Sequence, residues 1–227
     1  MRRFPGQHGF SLVELAVVVA IFGLLLSIMV IPLGTQIDQQ RIAETERQLG
    51  AVHEALLGFA IANGRLPCPA NGTVATGTAG AGTENKPGAA CAAAEGVLPW
   101  ATLGVPELDA WGWRLTYRVT PAFADDAGAG AQATLLITDS GNIVVTDGAV
   151  NIAAGVPAVV VSHGKNGLGA FRQDGTQVGG AAGNELENAN NTVTFVSQIP
   201  APAFDDLLVW VSPHVLKSRL VAANRLP

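Results

Sequence analysis

The hydrophobic pattern is dominated by one long apolar run near the N-terminus. It extends from Phe10 to Leu33 and contains a single charged residue, Glu14. As a helix rising 1.5 Å per residue, these 24 residues span about 36 Å, which is enough to cross a bilayer core of roughly 30 Å. Arg2 and Arg3 precede the run and favour a cytoplasmic N-terminus. The run is about twice as long as the apolar core of a secretory signal peptide, so we predict that it is retained as a membrane span.

An amphipathic pattern follows the apolar run. Over Thr35–Asn63, apolar residues recur every three or four positions, and acidic and basic residues occupy the other face. Gly64 directly after this segment is typical of a helix C-terminus. Pro32 lies late in the apolar run, where it removes one helical hydrogen bond and predicts either a bend or a helix stop at Ile31. With a bend, residues 10–63 form one long helix.

Beyond Gly64 the pattern is typical of β-structure. Strands are predicted at Trp113–Val119, Leu135–Ile137, Ile143–Val145, Val159–Val161 and Thr192–Val196. Leu207–Val211 is apolar enough for either a strand or a buried turn of helix, and a closing helix is predicted at Pro213–Ala222. The second and third of these strands are expected to form a hairpin around Asp139–Asn142. The chain is therefore predicted to be α+β, with a long N-terminal helix packed against an antiparallel β-sheet.

Composition and motifs exclude several function classes. A hydrophobic fraction of 48% is too high for a disordered chain, and a formal net charge of −5 argues against a generally basic nucleic-acid-binding surface. Ser162 and His163 are adjacent, but no Gly-x-Ser-x-Gly surrounds them, and the glycine spacing before Lys165 does not fit a phosphate-binding loop. We therefore predict that the chain is not an enzyme and requires no cofactor.

Glu14 is chemically unusual, because a carboxylate in an apolar helix is unfavourable unless it is paired or lies near the helix N-terminus. From the residues alone, either an interfacial or a paired functional carboxylate fits. The segment Gly9-Phe10-Ser11-Leu12-Val13-Glu14-Leu15, behind a short basic leader, resembles the N-terminus of type IV pilins and pseudopilins. The resemblance implies cleavage by prepilin peptidase between Gly9 and Phe10, N-methylation of Phe10, and pairing of Glu14 with the α-amino group of a neighbouring subunit.

The resemblance also implies a domain organisation and a location. Residues 1–9 are then the leader peptide, 10–33 the transmembrane and assembly helix, 34–63 the amphipathic helix, and 64–227 an extracytoplasmic head. The implied location is the bacterial inner membrane, with a cytoplasmic N-terminus and a periplasmic head, and afterwards a filament. In pilins a proline at about the position of Pro32 bends this helix.

The implied function is that of a structural subunit, major or minor, of a type IV pilus or a type II secretion pseudopilus. The implied partners are other pilin or pseudopilin subunits, the prepilin peptidase and methyltransferase, and the inner-membrane assembly platform. Nucleic acid is not an expected partner. The alternative function is a single-pass membrane-anchored module whose extracytoplasmic head binds a ligand.

The head adds a second resemblance. Asp109-Ala110-Trp111-Gly112, entering a strand, is similar to the heads of major pseudopilins of type II secretion. At 164 residues the head is longer than theirs, and it lacks their compact acidic calcium loop in recognisable form.

Cys68 and Cys91 are the two cysteines of the chain and flank a segment rich in small residues. An extracytoplasmic location permits a disulfide between them, and two free thiols or a metal pair are the alternatives.

A loop rich in oxygen donors, residues 183–191, suggests one metal site. Glu185 and Glu187 in this loop, together with Asp174, are the candidate calcium ligands, and Asp205 and Asp206 could join them. Calcium takes six to eight such oxygens, but the spacing matches no EF-hand, so a solvated loop without metal is the alternative.

Overall fold

A computed structural model describes residues 11–126 and 135–226, without the side chains of residues 26–33. The leader, Gly9 and Phe10 therefore lie outside the described residues. The elements in chain order are α1 (Leu12–Asn63), β1 (Glu95–Val97), α2 (Trp100–Leu103), β2 (Thr116–Val119), α3 (Pro121–Ala124), β3 (Ile143–Thr146), β4 (Asn151–Val156), β5 (Ala158–Ser162), α4 (Gly183–Glu187), β6 (Thr194–Val196), β7 (Leu207–Val211) and α5 (Pro213–Ala222). The chain divides into two compact units, Met1–Arg41 and Ile42–Pro227.

Helix α1 continues past Pro32, so the alternative of a helix stop at Ile31 is wrong, while a bend at Pro32 stays a prediction. Its C-terminus follows the sequence signal. Gly64 has φ 73°, a left-handed conformation that glycine adopts without strain, and its N–H donates to Ala60 O at 2.7 Å.

The first unit holds the apolar part of α1. Large apolar side chains between Leu12 and Leu25 are exposed, and Leu12 itself is 85% exposed. Among the described residues, no helix has the length and hydropathy that a membrane crossing requires. The predicted span of residues 10–33 includes Phe10 and eight side chains that are not described.

The second unit contains a four-stranded sheet with the order β1-β2-β5-β7, in which every neighbouring pair is antiparallel. This confirms the predicted combination of a long helix and an antiparallel sheet in an α+β fold. Strand β2 starts at Thr116, three residues later than predicted, because Arg114 pairs only in isolated bridges with Leu108 and Phe171 and Trp113 lies in irregular structure.

A second, three-stranded sheet has the order β4-β3-β6, and it is mixed. Strand β3 pairs antiparallel with β4 but parallel with β6. The predicted hairpin between Leu135–Ile137 and β3 is wrong, since β3 pairs with β4 instead. The side chains of Leu136 and Ile137 are exposed, and the carboxylate of Asp139 accepts the N–H of Leu136 in a local turn.

The first sheet lies between two apolar layers. On one face, the second half of α1 and helix α5 pack against it, and on the other face lies the second sheet. Side chains of strand β5 alternate between the two faces of the first sheet. Ala158 and Val160 belong to the hydrophobic core shared with α1 and α5, which we call the first core, while Val159 and Val161 belong to the core between the two sheets, the second core. The buried apolar residues of α1 are spaced as in an amphipathic helix and comprise Leu49, Val52, Leu56, Leu57 and Ala60.

A disulfide joins Cys68 to Cys91 in the structure, with a Sγ–Sγ distance of 2.02 Å and a Cα–Cα distance of 5.3 Å. This geometry supports the predicted pairing over free thiols or a metal pair. Residues 64–94 form neither helix nor strand, so few backbone ladders hold this segment. Closing the loop between Cys68 and Cys91 removes unfolded-chain entropy worth about 3.5 kcal/mol in the chain-entropy account.

Candidate functional site

Glu14 lies in the first turn of α1, where it closes the helix N-terminus. Its Oε2 accepts the backbone N–H of Ser11 at 2.9 Å, and Ser11 Oγ accepts the N–H of Val13 at 3.3 Å. This is a variant of the capping box, in which Glu14 accepts the N–H of Ser11 while Ser11 accepts the N–H two residues further on rather than three. The Ser-x-x-Glu spacing can be read from the sequence. Glu14 therefore caps its own helix, in addition to the pairing with a neighbouring subunit that the pilin resemblance implies.

The surroundings of Glu14 are apolar and exposed. Leu12, Val13 and Leu15 flank it with exposed side chains, and Val17, Val18 and Phe22 continue the apolar surface along the helix. A helix that is apolar on all sides is stable where lipid or other helices cover it. The arrangement therefore presents one carboxylate at the end of an extended apolar surface.

The head contains a cluster of three acidic side chains. Glu185 is carried by the short helix α4, and Asp205 and Asp206 precede β7. One carboxylate oxygen from each of the three lies within 4.8 Å of the others. Glu185 and Asp206 are buried, and Asp205 is half-buried.

In each carboxylate of this cluster, one oxygen accepts hydrogen bonds from other groups of the protein. Glu185 Oε1 accepts from Asn166 Nδ2 at 2.8 Å, and Asp205 Oδ2 accepts from the backbone N–H of Asn166 at 2.9 Å. Asp206 Oδ2 accepts from Asn188 Nδ2 at 2.8 Å. The other oxygens of the two aspartates, Asp205 Oδ1 and Asp206 Oδ1, are buried and have no hydrogen-bond partner among the described residues.

His163 lies next to this cluster and is fully buried. Its Nε2 is 2.8 Å from Thr116 Oγ1, while its Nδ1 lacks a partner in the described structure and lies 3.7 Å from Asp206 Oδ1. Burial lowers the pKa of His163 to about 4, so the ring is neutral near pH 7 and forms no ion pair with Asp206. Two buried polar atoms therefore face each other without a hydrogen bond between them.

Burial also changes the acidity of the aspartates. It raises the pKa of Asp206 to about 8, and the nearby carboxylates of Glu185 and Asp205 add to the rise, against the hydrogen bond from Asn188. Burial likewise raises the pKa of Asp205, against the hydrogen bond from Asn166. The charged forms of both aspartates are therefore unfavourable in the metal-free protein, and a hard divalent cation is one ligand that would supply the counter-charge they lack.

Two of the three predicted calcium ligands lie outside this group. Asp174 Oδ1 accepts from the backbone N–H and the hydroxyl of Thr176, at 2.8 and 2.6 Å, in an exposed turn. Glu187 Oε2 accepts from Asn190 Nδ2 at 3.2 Å. The structure instead groups Glu185 with Asp205 and Asp206. Calcium binding itself stays a prediction.

Ser162 and His163, which are adjacent in sequence, form hydrogen bonds with different partners. Ser162 Oγ donates to Asp109 Oδ2 at 2.6 Å, and the same Asp109 accepts the backbone N–H groups of Trp111 and Trp113 through Oδ1. These contacts join the end of β5 to the turn that precedes β2. The hydrogen bonds of Ser162 and Asp109 therefore stabilise the packing of these two segments against each other.

Comparison with known families identifies the N-terminal segment. Residues 5–30 match the prokaryotic N-terminal methylation motif, which is the prepilin-type signature of type IV pilins. The chain therefore carries a pilin-like N-terminus of the kind that prepilin peptidase processes. No curated protein and no solved structure gives a significant match to the chain, and the resemblance of the head to pseudopilins is not confirmed.

Proposed function

We propose that the chain is a structural subunit of a type IV pilus or of a type II secretion pseudopilus. The observation that carries the proposal is the methylation motif at residues 5–30 together with the start of α1 inside it. The helix begins with a carboxylate in its first turn and an exposed apolar surface behind it, as subunit packing through N-terminal helices requires. The partners are then other subunits, the prepilin peptidase and the inner-membrane assembly platform.

Processing by prepilin peptidase tests this proposal. When the chain of 227 residues is co-produced with a prepilin peptidase, we expect intact-mass analysis to show loss of residues 1–9 and a methyl group on the new N-terminus at Phe10. The control is production with a peptidase variant that lacks activity. A chain that keeps its leader beside an active peptidase would be a plain membrane anchor, in agreement with the alternative of an anchored binding module.

For the head, we infer a divalent-cation site at Glu185, Asp205 and Asp206, with calcium as the best-fitting ion. The inference is supported by the three carboxylates within 4.8 Å and by the two buried aspartate oxygens without partners in the described parts of the chain. Oxygen-rich, partly flexible loops are the usual setting for calcium. Such an ion would tie α4 to the segment before β7.

Thermal unfolding of the full chain tests the cation site and its residues. After treatment with EDTA, calcium at about 100 times its dissociation constant should raise Tm by about 5–10 °C. Asp206→Asn should abolish this rise, because it removes a ligand that can carry a charge. It should not lower Tm in EDTA near pH 7, because burial raises the pKa of Asp206 to about 8, so the metal-free side chain is mostly neutral, and asparagine keeps an acceptor for Asn188 Nδ2.

Asp174→Asn and Glu187→Gln serve as matched controls and should keep the calcium-induced rise in full. If Asp174→Asn removes the rise and Asp206→Asn does not, the ligand set predicted from the sequence is right and the structural cluster is not the site. If calcium leaves the Tm of the unsubstituted chain unchanged, the head has no calcium site.

A further inference from the structure

A second feature of the head, separate from the acidic cluster, is an open cavity of about 460 Å³ beside β1. It is lined by residues 69–72, 92–93, 95–96 and 189–191, and by Asn85, Thr116, Gly169, Phe171 and Gln177. This volume lies in the range of sites for small molecules, about 300–1,000 Å³.

Amide side chains dominate the polar lining. Asn71 Oδ1 accepts from Thr73, Gln177 Nε2 donates to Gly169 O at 2.9 Å, and Asn191 Oδ1 accepts from Arg118 Nη1 at 2.7 Å. Within the described residues, this leaves Asn71 Nδ2, Gln177 Oε1, Asn191 Nδ2 and the whole amide of Asn85 without protein partners. The cavity thus offers both donors and acceptors, all of them uncharged.

Glu95, the one acidic residue among the described residues that line the cavity, forms an ion pair with Arg118. Glu95 Oε2 lies 3.2 Å from Arg118 Nη1, and both side chains are largely buried. The pair therefore adds no net charge to the cavity. A ligand with a full charge would find no free counter-charge among the lining residues, whereas a neutral ligand would lose no such partner.

Phe171 supplies an apolar surface in this polar lining. Its ring lies directly against Gly72, where a Cβ would come within 2.8 Å of the ring atoms, so the backbone at Gly72 holds the ring in place. The Phe171 main chain is also fixed, because its carbonyl accepts the N–H of Arg114 at 3.1 Å. An aromatic face attracts the weakly positive C–H groups of a ligand.

We propose that this cavity binds a neutral sugar of one or two rings. A sugar ring carries hydroxyl groups that both donate and accept, which matches the unpaired amide groups of Asn71, Asn85, Gln177 and Asn191. Its C–H face matches the fixed ring of Phe171. Since the cavity contains none of the residues of the methylation motif, sugar binding is independent of filament assembly and of leader processing.

Saturation-transfer NMR on the full chain tests the proposal. The chain is held in a detergent without a sugar headgroup, and the probes are glucose, N-acetylglucosamine and cellobiose, each at up to about 10 mM. We expect transfer to ring protons of at least one of these neutral sugars. Glucuronate, the charged counterpart of glucose, should bind more weakly than glucose because none of the described lining residues offers a free positive charge.

Two variants locate the bound sugar. Asn85→Ala removes an exposed amide that has no hydrogen-bond partner among the described residues, so the fold should be unaffected while affinity for the sugar falls about fivefold. Asn151→Ala on β4 is the matched control, since it removes another exposed asparagine side chain outside the cavity lining, and it should leave affinity unchanged. Phe171→Leu tests the aromatic contact and should also weaken binding.

The proposal is overturned if none of the three neutral sugars receives saturation, or if Asn85→Ala and Asn151→Ala bind the sugar equally well. Glucuronate binding as tightly as glucose would overturn the assignment of a neutral ligand. Unchanged affinity in Phe171→Leu would remove the aromatic contact from the site.

Discussion

A Gly9→Val chain is expected to keep all 227 residues when it is co-produced with prepilin peptidase, while the unsubstituted chain loses nine. The peptidase must bring its catalytic groups to the backbone on the leader side of the Gly9–Phe10 bond. Glycine has no side chain there and allows close approach, whereas a β-branched valine blocks it and stiffens the backbone. We therefore expect near-complete loss of the processed form in intact-mass analysis.

Gly6→Val provides the matched control for this prediction. It places the same side chain in the same leader, three residues before the proposed cleavage position, and should be processed normally. Cleavage of Gly9→Val at Phe10 at the normal rate would contradict the leader assignment. Equal loss in both variants would indicate a general effect on the leader rather than a requirement for glycine at position 9.

The helical parts of the fold were predictable because their signals are local. The spacing of Leu49, Val52, Leu56 and Ala60 predicts a buried helical face, and all four residues are buried in the first core. The end of α1 at Gly64 and the closing helix α5 also follow from neighbouring residues. Each of these features depends on hydrogen bonds or contacts within a few positions of the chain.

The sheet was only partly predictable, because strand pairing depends on distant residues. Strand β1 is three residues long and is defined by its pairing with β2, about 20 residues away, so no period-two pattern marks it. The run at Leu135–Ile137 has the composition of a strand, yet β3 pairs with β4 and, in parallel, with β6. The turn-forming residues around Asp139 predicted a hairpin, but β3 pairs with β4 and β6, which lie later in the chain, rather than with the run before the turn.

Glu14 could be identified from the sequence, whereas the full acidic cluster could not, for the same reason that separates helices from strands. Glu14 lies in a contiguous motif, and both the family resemblance and the capping-box spacing can be found by inspecting the sequence. The acidic cluster combines Glu185 with Asp205 and Asp206, twenty positions further on, and a buried histidine at position 163. Asp174 is closer in sequence to Glu185 than Asp205 is, but its loop folds onto Thr176. Nearness in sequence was a poor guide to nearness in space.

Replacing Glu14 is expected to reduce incorporation into the filament by about tenfold or more, and two variants separate the two roles of this residue. In the free chain Glu14 caps its own helix through Ser11 N–H, which stabilises the helix N-terminus by about 1 kcal/mol. In a filament, the carboxylate would lie among apolar helices, where an unpaired charge is strongly unfavourable. The Phe10 ammonium of a neighbouring subunit would supply the counter-charge and set the axial stagger.

Glu14→Gln removes the charge but keeps an acceptor for the Ser11 N–H, since glutamine also serves in a capping box. Glu14→Val removes both the charge and the cap. If charge pairing sets the register, both variants should be inserted and cleaved at Gly9 normally, and both should show the same large fall in the ratio of filament-associated to membrane-resident mature protein. Glu46→Gln, an exposed glutamate further along α1, is the matched control and should keep the ratio. Normal incorporation of Glu14→Gln beside a defective Glu14→Val would assign the effect to the cap, and an unchanged ratio in both would refute the pairing role.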